Sequence, residues 1–232
     1  MILLLGDIHG DYRILNDAIQ KAELVGASAL IQVGDFCMFR GGQTEFGAKL
    51  ANNEPEFQRV LEKAKVPVYF IDGNHDDCDR WLCYTEVTQV FENAPFYYVP
   101  RGTVMELDGR TVAFMGGASS INKQWSLRDG NHWTPLEDIR QEDIDTLLRK
   151  AEGKQIDMFI THIPPHSVIQ EHFDDSVKIM FEVGLDWHDQ NQTIVEELWH
   201  KLGTPHIFSG HMHRRVAGMT YRILDINELL AV

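Results

Sequence analysis

Five short apolar runs, each breaking off into a polar segment that carries Asp, Asn or His, constrain this chain more than any other feature. Ile2 to Leu5 precedes Gly6-Asp7-Ile8-His9-Gly10, Ala29 to Val33 precedes Gly34-Asp35-Phe36, and Val68 to Ile71 precedes Asp72-Gly73-Asn74-His75-Asp76. Ile156 to Thr161 runs into His162, and Ile207 to Ser209 into Gly210-His211-Met212-His213. Apolar runs without polar alternation suit strands buried on both faces. In open α/β sheets ligands bind at the carboxyl ends of the strands, so distant segments can converge there on one point. Asp-x-His and His-x-His aim alternate side chains the same way if the backbone is extended. The neighbouring glycines permit tight turns and close backbone approach.

Helical patterns fill the intervals. Asp11 to Val25 carries Ile14, Leu15, Ala18, Ile19 and Ala22 on one face, and Pro55 to Lys65 and Gln192 to Leu202 also read as helices. Thr134-Pro135 is a cap-and-first-turn signal, followed by an exposed helix from Glu142 to Glu152. Phe96 to Tyr98, Thr103 to Leu107 and Thr111 to Met115 are strand-like, the last two joined by the hairpin signal Asp108-Gly109. Two sheets are therefore expected. With no repeat, low-complexity tract or linker, residues 1–232 read as a single domain.

Charge and cysteine content exclude several classes. The formal net charge is −14, and no basic run exceeds Arg214-Arg215, which disfavours a long nucleic acid as partner. Cys37, Cys78 and Cys83 are odd in number and lack CxxC spacing, which points away from a disulfide framework or structural zinc and toward a reducing compartment. There is no apolar stretch of membrane-spanning length and no leader pattern, so the expectation is a cytoplasmic protein with no membrane partner.

Carboxylates and imidazoles at the five strand ends suit a hard or borderline divalent metal, with Mn²⁺, Fe or Zn²⁺ as candidates. A bridging carboxylate can hold two metals roughly 3.5 to 4 Å apart, a spacing suited to in-line displacement at phosphorus. Asp35 is the candidate bridge.

The five motifs in this order resemble the calcineurin-like metallophosphoesterase superfamily, across nearly the whole chain. The resemblance implies one metal held by Asp7, His9, Asp35 and His213, and a second held by Asp35, Asn74, His162 and His211. It implies His75 as proton donor or transition-state stabiliser, and an α/β fold arranged as a four-layer α/β/β/α sandwich of two mixed sheets. GDIHGDYRIL is similar to the serine/threonine phosphatases and the symmetrical diadenosine tetraphosphate hydrolases. Two departures from those enzymes disfavour a protein phosphatase. Cys37 to Gly42 replaces their Asp-Arg-Gly element, and Asp72 stands where they carry a phosphate-binding arginine before Gly73-Asn74-His75. The stretch Gly116 to Glu137 is similar to bacterial and phage branches of the superfamily.

The function expected is hydrolysis of a small phosphoester by a metal-bridging hydroxide, with phosphodiesters or nucleotides first. A phosphomonoesterase or dinucleoside-polyphosphate hydrolase is the enzyme alternative, and a protein-binding scaffold the non-enzyme one. Asp76 is placed to orient His75, while Asp76-Asp77 and Glu196-Glu197 otherwise read as solvated surface. Trp125, Arg128 and Trp133 read equally as a substrate wall or a packed loop, and Arg40 as a substitute phosphate ligand or an exposed loop residue. Cys37 reads as a buried apolar filler in preference to a reactive thiol near the metals. His132, His166, His172, His188, His200 and His206 lie outside the motifs and read as ordinary histidines, His166 being nearest the cavity rim.

Overall fold

The computed structural model describes residues 1–37, 54–128 and 133–232. Its first sheet comprises β1 (Ile2–Leu5), β2 (Ala29–Gln32), β3 (Val68–Phe70), β4 (Thr88–Phe91), β5 (Ala94–Tyr98) and the last strand of the chain, β12 (Leu229–Ala231). The second comprises β6 (Thr103–Leu107), β7 (Arg110–Met115), β8 (Met158–Thr161), β9 (His206–Ser209), β10 (Val216–Ala217) and β11 (Tyr221–Ile223). The strand orders are β12-β1-β2-β3-β5-β4 and β10-β11-β9-β8-β7-β6. Each sheet is parallel at its centre and antiparallel at both edges, so both are mixed.

The period of two along each strand sorts its side chains between layers. In β1, Leu3 and Leu5 face α1 (Tyr12–Leu24) and α2 (Glu54–Lys63), which cover the outer face of the first sheet. Ile2 and Leu4 turn inward with Ile31, Val33 and Ile71 to meet Val112, Phe114, Met158, Ile160 and Phe208 of the second sheet. Ala113, Met115, Phe159 and Ile207 face outward against α5 (Gln141–Ala151) and α8 (Gln190–Lys201). The order of layers is helix, sheet, sheet, helix, so strands buried on both faces needed no polar alternation. Burial of each large aliphatic or aromatic side chain contributes about 1.5 to 3 kcal/mol.

Local signals mark the element ends. Asp11 is the N-cap of α1, its carboxylate accepting from the Arg13 and Ile14 amides. Asp108 and Gly109 take φ of 53° and 74°, as a two-residue hairpin turn requires. Thr134 caps a single 3-10 turn, Pro135–Glu137. The helix expected to be exposed, α5, is instead amphipathic. Leu147 is fully buried, and Ile144, Leu148 and Ala151 pack against the same core. Four short helices escaped the pattern reading: α3 (Cys78–Trp81), α4 (Lys123–Arg128), α6 (His166–His172) and α7 (Ser176–Met180). They are shorter than two turns or interrupted by turns, too short for a 3.6-residue period to show.

Candidate metal centre

Asp7, Asp35 and Asn74 follow β1, β2 and β3, while His162 follows β8 and His211 follows β9. The carboxyl ends of parallel strands in both sheets thus meet along one seam. Phe36 anchors the Asp35 turn. It is fully buried, with its ring 5.1 Å from Phe70 and 6.4 Å from Phe96.

The side chains do not converge by strand alternation. His9, Asp35, His211 and His213 all take positive φ, at 45°, 55°, 67° and 48°. The extended-backbone reading of Asp-x-His and His-x-His is therefore wrong for these turns. Left-handed backbone at a residue with a Cβ costs of order 1 to 3 kcal/mol and persists where the surroundings over-determine it. At Asp35 and His211 amides bound to carboxylates do so. The His75 amide donates to Asp35 Oδ1 at 2.8 Å, and the His211 amide to Asp7 Oδ2 at 2.9 Å. Glycines leave the space. A Cβ at Gly73 would overlap Asp35 and His162, and one at Gly34, whose φ is +102°, would strike the His162 ring.

Two groups of ligand atoms result, each within 4.8 Å: Asp7, His9, Asp35 and His213, and Asp35, His162 and His211. Asn74 joins the second through Oδ1, 3.3 Å from His162 Nε2. Asp35 belongs to both. Its Oδ2 is buried and accepts no hydrogen bond, although His162 Nε2 is 3.4 Å away. His9 Nε2 and His213 Nε2 approach to 2.9 Å, and His211 Nδ1 and His162 Nε2 to 3.3 Å. An orphaned carboxylate oxygen amid converging imidazole nitrogens fits divalent cations.

The electrostatics agree. Burial works to raise the Asp35 pKa, but His162, His75 and His9 outweigh it and hold the carboxyl well below its usual range. Burial likewise works against protonation of His162, yet Asp35 and Asp7 raise its pKa to about 10. Its Nδ1 donates to the Val33 carbonyl at 2.9 Å, which reserves Nε2 for a ligand. Burial and the charge of His162 keep His211 neutral, the form that binds metal.

Residues 1–215 match the calcineurin-like phosphoesterase family. The chain belongs to that family. It is therefore a metal-dependent phosphoesterase that takes divalent ions. Among solved structures, one crystal structure aligns with a TM-score of 0.54 at 11% identity, over 97% of this chain and 89% of its own. Another, described as GAP50, the anchor in the inner membrane complex of Plasmodium, gives 0.51 at 12% identity, over 97% and 71%. At such identities the likeness is one of fold. No curated protein matches the sequence.

The phosphoesterase's ligand groups open on a cavity of about 890 Å³, which His9, Asp35, Asn74, His75, His211 and His213 help to line. His75 is half-buried there, its ring 5.3 Å from that of His9. Asp76 is no surface residue. It is 2% exposed, and its carboxylate accepts from the amides of Cys37 at 2.7 Å, Gly73 at 2.8 Å and Phe36 at 3.3 Å. Burial first, then the charge of Asp35, push its pKa up to about 7. Cys37 is buried, with Sγ 3.8 Å from His9 Nδ1.

Trp125 lines the cavity, but Arg128 and Trp133 are not among the described lining residues. The Arg128 guanidinium lies 6.0 Å from the Trp125 ring, and Lys123 sits 3.6 Å above Trp133. Arg40 lies outside the described residues, as does His132. From the 116–137 stretch, Ser120, Ile121, Asn122 and Glu137 also reach the cavity, and Ser120 Oγ accepts from Asn74 Nδ2 at 3.1 Å.

Three features went unread or only partly read in the sequence. His166, placed nearest the cavity rim, and His188, taken as an ordinary histidine, both line the cavity with rings 5.9 Å apart. The segment from α6 to His188 walls it. Asp72, fully buried, receives Arg101 Nε at 2.9 Å and the Tyr98 hydroxyl at 2.9 Å. Arg101 also donates to the carbonyls of Leu136, Glu137 and Asp138. Arg101 follows an ordinary Val-Pro loop and carries no motif, so pattern alone could not pair it with Asp72.

Proposed function

We propose that residues 1–232 act as one domain that binds two divalent ions, Mn²⁺ first, on ligand groups sharing Asp35, and hydrolyses small phosphodiesters, nucleotides among them. Asp7, His9, Asp35 and His213 hold one ion, and Asp35, Asn74, His162 and His211 the other. The carrying observation is the shared, orphaned Asp35 Oδ2 beside a cavity that, among the described residues, no arginine lines. Bound ions supply Lewis acidity to the phosphoryl oxygens and a nucleophilic water at neutral pH.

The protein's own groups do the remainder. His75, held through its amide on Asp35 Oδ1, presents its ring to the cavity and protonates the leaving oxygen. Asp76 is a positioning residue that ties the Asp35 turn to the Asn74 turn through backbone amides. A monoester dianion calls for more fixed positive charge than a diester monoanion, and arginines usually supply it. At the motif position where related phosphatases carry such an arginine, Asp72 is committed to Arg101. An odd number of cysteines, Cys37, Cys78 and Cys83, without CxxC spacing supports a reducing, cytoplasmic setting. Among the described residues no helix is long and apolar enough to cross a membrane.

The test compares kcat/KM on bis(p-nitrophenyl) phosphate and p-nitrophenyl phosphate with Mn²⁺ present, since that ratio reports transition-state binding. The diester should be favoured at least tenfold. A preference for the monoester, or for diadenosine tetraphosphate over every diester, overturns the diesterase reading. An anchoring role like that described for the Plasmodium protein predicts neither metal uptake nor turnover, and leaves the left-handed turns at His9, Asp35, His211 and His213 unexplained.

A further inference from the structure

The cavity extends well beyond what a phosphate group and two ions require, into the size range of pockets for drug-sized ligands. Besides the ligand groups, its lining carries a set of large apolar side chains, Trp125, Ile169, Phe173, Phe181 and Trp187, with Met212 between two of the ligand histidines. Trp125, from α4, meets Phe181, just beyond α7, with ring centroids 5.0 Å apart, so segments more than fifty residues apart close the chamber. The apolar character continues outside. Val177 and Met180 line the chamber while 39% and 59% exposed, and Ile179 and Leu185 beside them are 67% and 61% exposed.

The charges around this lining have the wrong sign for a polyanion. Glu137, Asp174, Asp175 and Asp189 line the same space. Among the described residues Lys178 is the one lysine or arginine there. Its ammonium is spoken for, 2.9 Å from Asp175 and donating to the Leu185 carbonyl at 2.8 Å. A polyphosphate chain or a second phosphate would meet carboxylates. An uncharged apolar group would instead leave water for a surface that matches it.

We propose that this chamber binds one ester group of the substrate, and that this group is a large alkyl or aryl moiety, so the preferred substrate is an amphiphilic phosphodiester bearing a single negative charge. The proposal rests on the phosphodiesterase reading and adds the identity of the group carried on phosphorus. Trp125 and Phe181 act as specificity residues, remote from the reacting atoms. The rim of Ile179, Met180 and Leu185 carries whatever length of chain the chamber does not hold.

The test uses the full Mn²⁺-loaded chain and a series of p-nitrophenyl alkyl phosphates from methyl to octyl, below micellar concentration. In each, the water oxygen forms a new P–O bond as the bond to nitrophenolate breaks. The products are the monoalkyl phosphate and nitrophenolate, with the water's protons taken by product and solvent. Burial of each added methylene corresponds to about a fourfold gain. The expected result is a rise in kcat/KM of at least about a hundredfold from methyl to octyl. Phe181→Ala should flatten that slope. Met180→Glu, at an exposed position that folding tolerates, should cut the octyl-to-methyl ratio about fivefold or more. A separate arm measures binding of alkylphosphonates of the same lengths to the metal-free chain by tryptophan fluorescence, and affinity should climb with length. Turnover of the methyl ester with no dependence on chain length overturns the proposal and leaves the phosphodiesterase reading standing. No turnover of any ester sinks that reading, and the phosphonate arm then decides the chamber's role. Affinity independent of length there overturns the proposal as well.

Discussion

Arg101→Ala tests how the metal centre is supported from behind. Arg101 and Asp72 are both buried, and the guanidinium joins the end of β3 to the Pro135–Glu137 turn through Asp72 and the carbonyls of Leu136, Glu137 and Asp138. Removing one partner of a buried ion pair costs about 3 to 5 kcal/mol, because the remaining charge is stranded. Three carbonyls also lose a donor, but water entering the vacated space offsets part of that loss, so about 4 kcal/mol is the working figure. In a chain of this length that lowers the thermal midpoint by about 10 °C. The damage should spread. Gly117 N donates to the Asp72 carbonyl at 2.9 Å and abuts the guanidinium, and its loop carries Ser120 to Asn74. Metal affinity at the Asn74 group should therefore fall with stability. Urea unfolding followed by circular dichroism, with an unchanged denaturant slope, gives the cost. Asp72→Asn combined with Arg101→Met replaces the pair by neutral groups of similar shape and should recover most of it. A cost below about 1 kcal/mol for Arg101→Ala, or a double variant no better than the sum of the singles, would refute the argument.

Asp35→Asn should reduce metal content from about two ions per chain to less than one by elemental analysis, because both ligand groups share that carboxylate; unchanged content would show that Asp35 does not bridge. His75→Ala should lose about a hundredfold to ten-thousandfold in turnover of alkyl leaving groups and much less with nitrophenolate. Equal losses for both would assign His75 to charge stabilisation. In the metal-free protein the raised pKa of His162 stabilises the fold fully below pH 6.5, and that contribution fades as pH climbs toward about 10. Metal uptake at neutral pH should accordingly release protons, seen calorimetrically as a heat that varies with buffer ionisation enthalpy. A buffer-independent heat would mean His162 is already neutral.

Much of the centre was legible because its residues follow strands whose apolar runs are unbroken. Asp7, Asp35, Asn74, His162 and His211 could be placed at strand ends from local pattern alone. The manner of their convergence was not legible, since left-handed φ at Asp35 or His211 is held by amides, carboxylates and glycines from other segments. Asp76 misled for the opposite reason. An Asp-Asp pair looks solvated until the fold supplies Phe36 and Cys37 amides from forty residues away. The chamber wall was hidden because α4, α6 and α7 are too short to show a period, and because Trp125 and Phe181 acquire meaning only on meeting.

The seam between β1 and β12 bears on the order in which the centre can be assembled during synthesis. The Gly6 amide donates to the Glu228 carbonyl, and the Asn227 amide to that of Asp7 itself, so the first ligand turn is fastened by a segment that is synthesised more than two hundred residues later. His213, in the same group, is separated from Asp7 by 206 positions. Before residues 203–232 have been added, the Asp7 group has its acids but neither its second fastening nor one of its histidines. Cation capture by the complete group therefore has to wait for residues 213 and 227–228, and removal of β12 alone should uncouple folding of the first sheet from metallation.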